Sequence, residues 1–279
     1  MYLQKIIPIT NLPFSQDYFF YYSSYKLPIG SVVEINLKNK NYFGLVLANL
    51  SVLKNKKIIK EIPYPLKKIN QVIIGFPIIN PYLFQLAKFT SYYYYCSLPL
   101  AFKNILPSNL KSFLRFLKEE PIENPVYKNV YKNLVFLNKF KEKTDFDKIN
   151  FSEINDLKTI KEKIDSLSSN SQVLFLAPTL FHLEYFQEKF SQGIIFQKKD
   201  RKSFKIFKEI FEGKPLLILG TRSAVFLPFL NLKLIIVNEP ENPSYKSWEQ
   251  KPFYHSLKIV QKLSLYHQAE LIFYSSYDT

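Results

Sequence analysis

The residues of this 279-residue sequence that could carry catalysis are few, and their spacing restricts the chemistry further. Soft-ligand metal sites need clustered cysteine and histidine; one cysteine, Cys96, and three histidines supply neither a zinc site nor a disulfide framework. A nucleoside-triphosphate cradle needs a G-x-x-x-x-G-K-[ST] loop, because only glycine lets the backbone amides close on the phosphates. No glycine occurs between Gly75 and Gly193. Two Lys-Thr pairs, Lys143-Thr144 and Lys158-Thr159, stand without a neighbouring glycine; they read as relics of such a loop or as ordinary surface residues. Cys96 reads as a small buried hydrophobe.

The remaining candidates suit binding. Phe20 and Tyr21 either stack on a terminal base or fill the core of a strand. Lys60 is a candidate phosphate contact, against the alternative of a solvated charge. Tyr92 to Tyr95 lie on a helix and so point round more than one face, which favours packing against the preceding strands over a stacking platform. Arg222, in Thr221-Arg222-Ser223, is one of only three arginines in a lysine-rich chain. Its planar guanidinium suits a bidentate phosphate or carboxylate, with an internal partner such as Glu239 as the alternative. The formal charge of +15 suggests a polyanion, although the wealth of Lys, Ile, Asn, Phe and Tyr inflates charge without any partner.

These residues sit on elements of two kinds. From Leu3 to about Leu66, short runs rich in β-branched and aromatic residues (6–9, 18–22, 32–37, 42–47, 58–62) predict a small β-domain. A helix over 81–96 should pack on it, closed by Pro99 and Pro107. Residues 108–132 are charged and contain prolines, predicting a helix followed by a linker. Strand-like runs at 134–137, 173–177, 194–196, 216–219, 234–237 and 271–274 then alternate with helical patterns at 152–167, 180–190, 202–211 and 252–266, which predicts a parallel sheet covered on both faces. The expected fold is therefore α+β followed by α/β, with domains at 1–107 and 133–279. No run of about 18 apolar residues suggests a spanning helix and the start lacks a signal-peptide pattern, so a cytoplasmic protein without membrane contact is expected.

The segment Gly220-Thr221-Arg222-Ser223-Ala224, with Pro228-Phe229, the strand 234–237, Ser244-Tyr245-Lys246 and Tyr254-His255, resembles the replication-restart helicase family of primosomal protein N′ (PriA). Residues 172–178 look like the first-lobe strand of that family. The amino-terminal half is similar too: Phe19-Phe20-Tyr21, 27–33 and 42–47 follow its F-D-Y, G-x-x-V and G-x-V pattern, Ile59-Lys60-Glu61-Ile62 looks like its L-K-x-I strand, and 86–94 with Leu106-Pro107 looks like its helix and exit. The resemblance implies a small β-domain that captures a 3′ end, then a RecA-like helicase lobe. It makes Phe20, Tyr21, Lys60, Thr221 and Arg222 DNA-binding candidates, with Phe20 replacing the aspartate of the pattern and Asp17 lying three residues earlier.

The resemblance also shows what has changed. Where the family has D-E-E-H, this sequence has Asn238-Glu239-Pro240-Glu241, so Asn238 and Glu239 read as a degenerate nucleotide site lacking the magnesium carboxylate. The resemblance further leads to the expectation that the winged-helix domain is missing or reduced and that the second motor lobe and the zinc-binding cysteines are absent. The expectation is a non-catalytic DNA-binding protein of replication restart or repair, at forks or 3′-ended junctions, with no cofactor and with other restart proteins as possible partners. The alternatives are one part of a split ATP-dependent 3′-to-5′ helicase, with ATP and Mg2+ and a second-lobe polypeptide, or a protein-interaction scaffold.

Overall fold

A computed structural model describes residues 1–122, 151–249 and 251–275. The first sheet is mixed, in the order β5-β2-β1-β4-β3-β6. It contains β1 (Tyr2–Pro8), β2 (Phe19–Ser23), β3 (Val32–Leu37), β4 (Lys40–Ser51), β5 (Lys67–Lys68) and β6 (Gln71–Ile74). β1 runs antiparallel to both β2 and β4, and the short β5 runs parallel to β2, with Tyr21 opposite Lys67.

The expected strand at 58–62 is instead the helical turn α1 (Lys56–Glu61). Ile58 and Ile59 are adjacent rather than alternating, and the lysines and glutamate around them favour helix and remain in water. Three helices follow: α2 (Pro81–Tyr93), α3 (Leu98–Ile105) and α4 (Leu110–Glu119). Pro99 does not close a helix; it sits in the first turn of α3 behind the Ser97 cap, where its missing N–H costs nothing.

The second sheet is all parallel, in the order β7-β12-β11-β8-β10-β9. Its strands are β7 (Phe151–Ile154), β8 (Gln172–Leu176), β9 (Ile194–Phe196), β10 (Leu216–Gly220), β11 (Leu232–Asn238) and β12 (Glu270–Tyr274). Helices α5 (Leu157–Asp165), α6 (Leu180–Lys189), α7 (Lys202–Phe211) and α8 (Ser256–His267) alternate with them, the arrangement of a RecA-like lobe. Two expected helices begin later than their patterns suggested. Residues 151–154 are drawn into the sheet edge by β12, so α5 starts only after Asp156; α8 starts behind His255, whose ring caps Leu257 N. The expected strand 134–137, the pair Lys143-Thr144 and the linker beyond 122 lie outside the described residues.

One apolar core runs through both sheets. It extends from Ile7, Val32 and Leu45 through Leu86, Phe102 and Phe113 to Phe207, Leu174 and Ile235. α2 therefore serves both sheets, not the first alone. Asn80 shows how: its side-chain oxygen accepts from Leu83 N at 2.7 Å to cap α2, while its Nδ2 donates to the carbonyls of Pro228 and Phe229, both at 2.8 Å. At the other end of α2, the Tyr94 hydroxyl donates to His255 O at 3.1 Å and accepts from His255 N at 3.0 Å. Among the described residues no helix is long and apolar enough to cross a membrane.

Candidate functional site

Two regions carry the residues singled out in the sequence. The first is a cavity of about 320 Å³ at the β2 edge of the first sheet, lined by Phe19, Phe20, Asn36, Lys38, Tyr64 and Lys67 among others. Phe20 is half-buried, its backbone N–H held by the Tyr64 hydroxyl at 2.8 Å, and its ring is met edge-on by Tyr18 at 5.5 Å. Tyr21 also lines the cavity, from the core side. It is 3% exposed, and its hydroxyl donates to Asn36 O at 2.8 Å. Burial, with Tyr64 nearby, pushes its phenol up to about 12. Phe20 therefore keeps more of its ring available than Tyr21, which belongs to the core and leaves little of its ring to a base.

Lys60 lies on α1, exposed and outside the cavity lining. The lysine beside β2 is Lys67, in Leu66-Lys67-Lys68-Ile69, which repeats the Leu-Lys-x-Ile spacing seven residues beyond the segment read in the sequence. Lys67 Nζ donates to Asn36 Oδ1 at 2.7 Å and stays exposed. Lys67 was legible in the sequence, since both segments fit the spacing; only the pairing with β2 distinguishes them. Asp17 has a structural partner: its carboxylate accepts from Leu98 N at 2.9 Å and strengthens the start of α3. Of the four tyrosines, Tyr92 and Tyr95 are 66% and 83% exposed, so packing on the first sheet does not describe them. Cys96 is buried, and burial pushes its thiol up to about 11.

The second region is the edge where the parallel strands of the second sheet end. Gly220 closes β10 so tightly that an added Cβ would stand 2.3 Å from Ala224 Cβ, which explains glycine before the 3₁₀ turn Arg222–Phe226. Thr221 and Arg222 line a cavity of about 730 Å³ together with Thr179, Lys198, Lys103 and Ser244. Arg222 Nη1 donates to Ser244 O at 3.3 Å. Lys198 Nζ donates to Asn104 O, and burial lowers its ammonium to about 8. Beneath this edge Tyr245 is fully buried, its hydroxyl 2.6 Å from Asn238 O and 3.1 Å from Leu176 O, so the Ser-Tyr-Lys segment pins the ends of β8 and β11.

Further along the same edge, Asn238, Tyr274 and Ile154 lie side by side across β11, β12 and β7. Lys158-Thr159, read as part of a longer helix, stands in the first turn of α5 directly after β7. That is the strand-turn-helix position of a phosphate loop. Its amides are taken: the Asp156 carboxylate accepts from Lys158 N at 3.1 Å and Thr159 N at 3.0 Å, and from Thr159 Oγ1 at 2.9 Å. These hydrogen bonds, Lys158 N first, hold the carboxyl below its ordinary range. Glu239 is likewise engaged. Its backbone is left-handed (φ +49°), its Oε2 accepts from Asn242 Nδ2 at 3.1 Å, and its Oε1 lies 3.6 Å from His182 Nε2. His182 Nδ1 is 2.7 Å from Thr179 Oγ1. Among the described residues, a carboxylate therefore sits on the two amides of this first turn, and an amide, Asn238, ends β11 beside Glu239.

Residues 7–107 match the family described as the 3′DNA-binding domain (3′BD) of PriA. The chain is also similar to proteins named Replication restart protein PriA. It is 27% identical to that of Rickettsia conorii over 256 residues, 86% of this chain and 37% of the relative. It is 26% identical to that of Helicobacter pylori over 275 residues, 95% of this chain and 41% of the relative. A shorter match to that of Chlamydia pneumoniae is 31% identical over 103 residues, 34% of this chain. The chain thus spans about two fifths of the length of the first two relatives. At low identity but over most of its length, the chain is PriA-like: it is similar to proteins named Replication restart protein PriA, and its amino-terminal portion carries the match to the 3′DNA-binding domain.

Proposed function

We propose that this chain binds DNA in replication restart, at forks or 3′-ended junctions, and does so without hydrolysing ATP. The observation that carries the reading is the cavity beside β2 and β5, inside the segment matched to a 3′DNA-binding domain: the half-buried Phe20 is among the aromatic residues that line it, and an exposed lysine, Lys67, is held at its rim by Asn36. Stacking on Phe20 suits any base, while Lys67 and Lys38 suit the phosphate that follows. Arg222, Lys198 and Lys103 around the larger cavity extend the positive surface to the second sheet. The test is fluorescence anisotropy with forked, 3′-tailed and blunt DNA at low and moderate salt. Preference for the 3′-ended forms is expected; equal, weak binding to all three would leave a nonspecific polycation or a protein-contact scaffold.

Asp156 on the Lys158 and Thr159 amides, and Glu239 held by Asn242 beside His182, support the absence of turnover. A DNA-stimulated ATPase assay beside a Glu239→Ala control checks it, and turnover above that control refutes it. A second reading, a nucleotide-binding lobe completed by another polypeptide, draws on Lys158-Thr159 in the first turn behind β7. Stabilisation by Mg·ATP in a thermal-shift titration would favour it.

A further inference from the structure

The loop that leads into β2 carries aromatic rings that the cavity does not use. Phe14 is 56% exposed, and its ring centroid lies 6.3 Å from that of Tyr95. Tyr18 is exposed as well, adjoins Phe20, and has Lys5 Nζ 3.6 Å from its ring centroid. The loop is tied to α3 at two points: Asp17 accepts from Leu98 N, and Lys103 Nζ donates to Asn11 Oδ1 at 3.2 Å. The first of these bonds brings the backbone beside Tyr18 against the segment that carries Tyr95.

Tyr95 occupies an unusual place. α2 ends in a Schellman turn, with Cys96 N bonded to Ser91 O at 3.0 Å and Tyr95 N to Tyr92 O at 3.5 Å. The left-handed position of such a turn favours glycine, yet Tyr95 holds it at φ +48° with its ring in water. Backbone strain of this kind, bearing an exposed ring, directs attention to a ligand. Lys5 lies over the Tyr18 ring, Tyr18 adjoins Phe20, and Lys103 is held at the start of the same loop, which suits a flexible polyanion carrying flat bases. We infer that Phe14, Tyr18 and Tyr95 form a stacking strip for single-stranded DNA, taking the nucleotides that precede the one held by the cavity.

This rests on the reading of the cavity given above, and one experiment separates the two. Tyr95→Gly removes the ring and relieves the backbone, so its melting temperature should equal or exceed that of the parent; Phe14→Ala is the second variant. In anisotropy titrations with a labelled eight-nucleotide oligothymidylate, each should weaken binding about fivefold or more, the size of one lost stack. Both should keep the parent's preference for a 3′-hydroxyl over a 3′-phosphate end, which reports the cavity alone. Unchanged affinity in both folded variants overturns the strip and leaves the rings to a protein partner. A parent without 3′-end preference whose affinity still falls with Tyr95→Gly overturns the cavity reading and keeps the strip. No binding to either oligonucleotide overturns both.

Discussion

The cavity beside β2 and the strand ends beside β11 are both lined by polar groups, but those groups are used in opposite ways. At β2, Lys67 is exposed and Phe20 is half-buried with Tyr18 at the edge of its ring, while the hydrogen bonds from Asn36 and Tyr64 position them and leave the Lys67 ammonium further donors. At β7 and β11, the groups that would meet a nucleotide bond to each other: Asp156 with two amides and a hydroxyl, Glu239 with Asn242 beside His182. The difference teaches that residue type does not by itself say whether a polar group is left open to a ligand. A donor already satisfied within the chain gains little from a ligand, since the new bond must replace an old one.

Both regions share one core, and Phe113 tests that most severely. It is fully buried, 5.0 Å from the Phe207 ring and 5.4 Å from the Phe204 ring. Phe113→Ala should destabilise by about 3–5 kcal/mol, in a single transition followed by circular dichroism; two separate transitions would break the comparison into independent domains. Next in size, Tyr94→Phe removes the bonds to His255 and should cost about 1–2 kcal/mol, because a backbone N–H loses its partner. Chemical denaturation of the variant measures it.

Binding distinguishes the regions more finely. Lys67→Ala should weaken DNA binding across sequences and lower the salt slope by about one, whereas Lys60→Ala, outside the cavity, should alter both less; equal losses would return Lys60 to the site. The smallest effect belongs to Asp156. Its native carboxyl is lowered, so it contributes stability above the unfolded value of about 4, and that contribution is lost as pH falls through the lower native value. The gap in melting temperature between the parent and Asp156→Asn should therefore be constant near neutral pH and close in acid; a gap independent of pH would mean that the carboxylate is not what caps α5.

Much of the second sheet was legible because its strands are buried on both faces and read as continuous apolar runs, as in Val173 to Ala177 and Leu234 to Val237, without reference to any partner. The burial of Cys96 and the lack of a glycine cradle were likewise properties of residue type and order. Residues 151–154 were harder: their alternation is short, and they become a strand only because β12, far along the chain, offers an edge.

Composition and local pattern by themselves determined the two kinds of element, the basic charge and the candidate residue types, since each depends on neighbours within a few positions. Tertiary structure alone decided which of two Leu-Lys-x-Ile-like segments would lie beside β2, how deeply Phe20 and Tyr21 would each be buried beside the cavity, and that the amides of Lys158 and Thr159 would meet the Asp156 carboxylate. The reason is physical: spacing sets which faces an element has, but the partner that covers a face is chosen by contacts between residues distant in sequence, whose burial and hydrogen bonding are settled together.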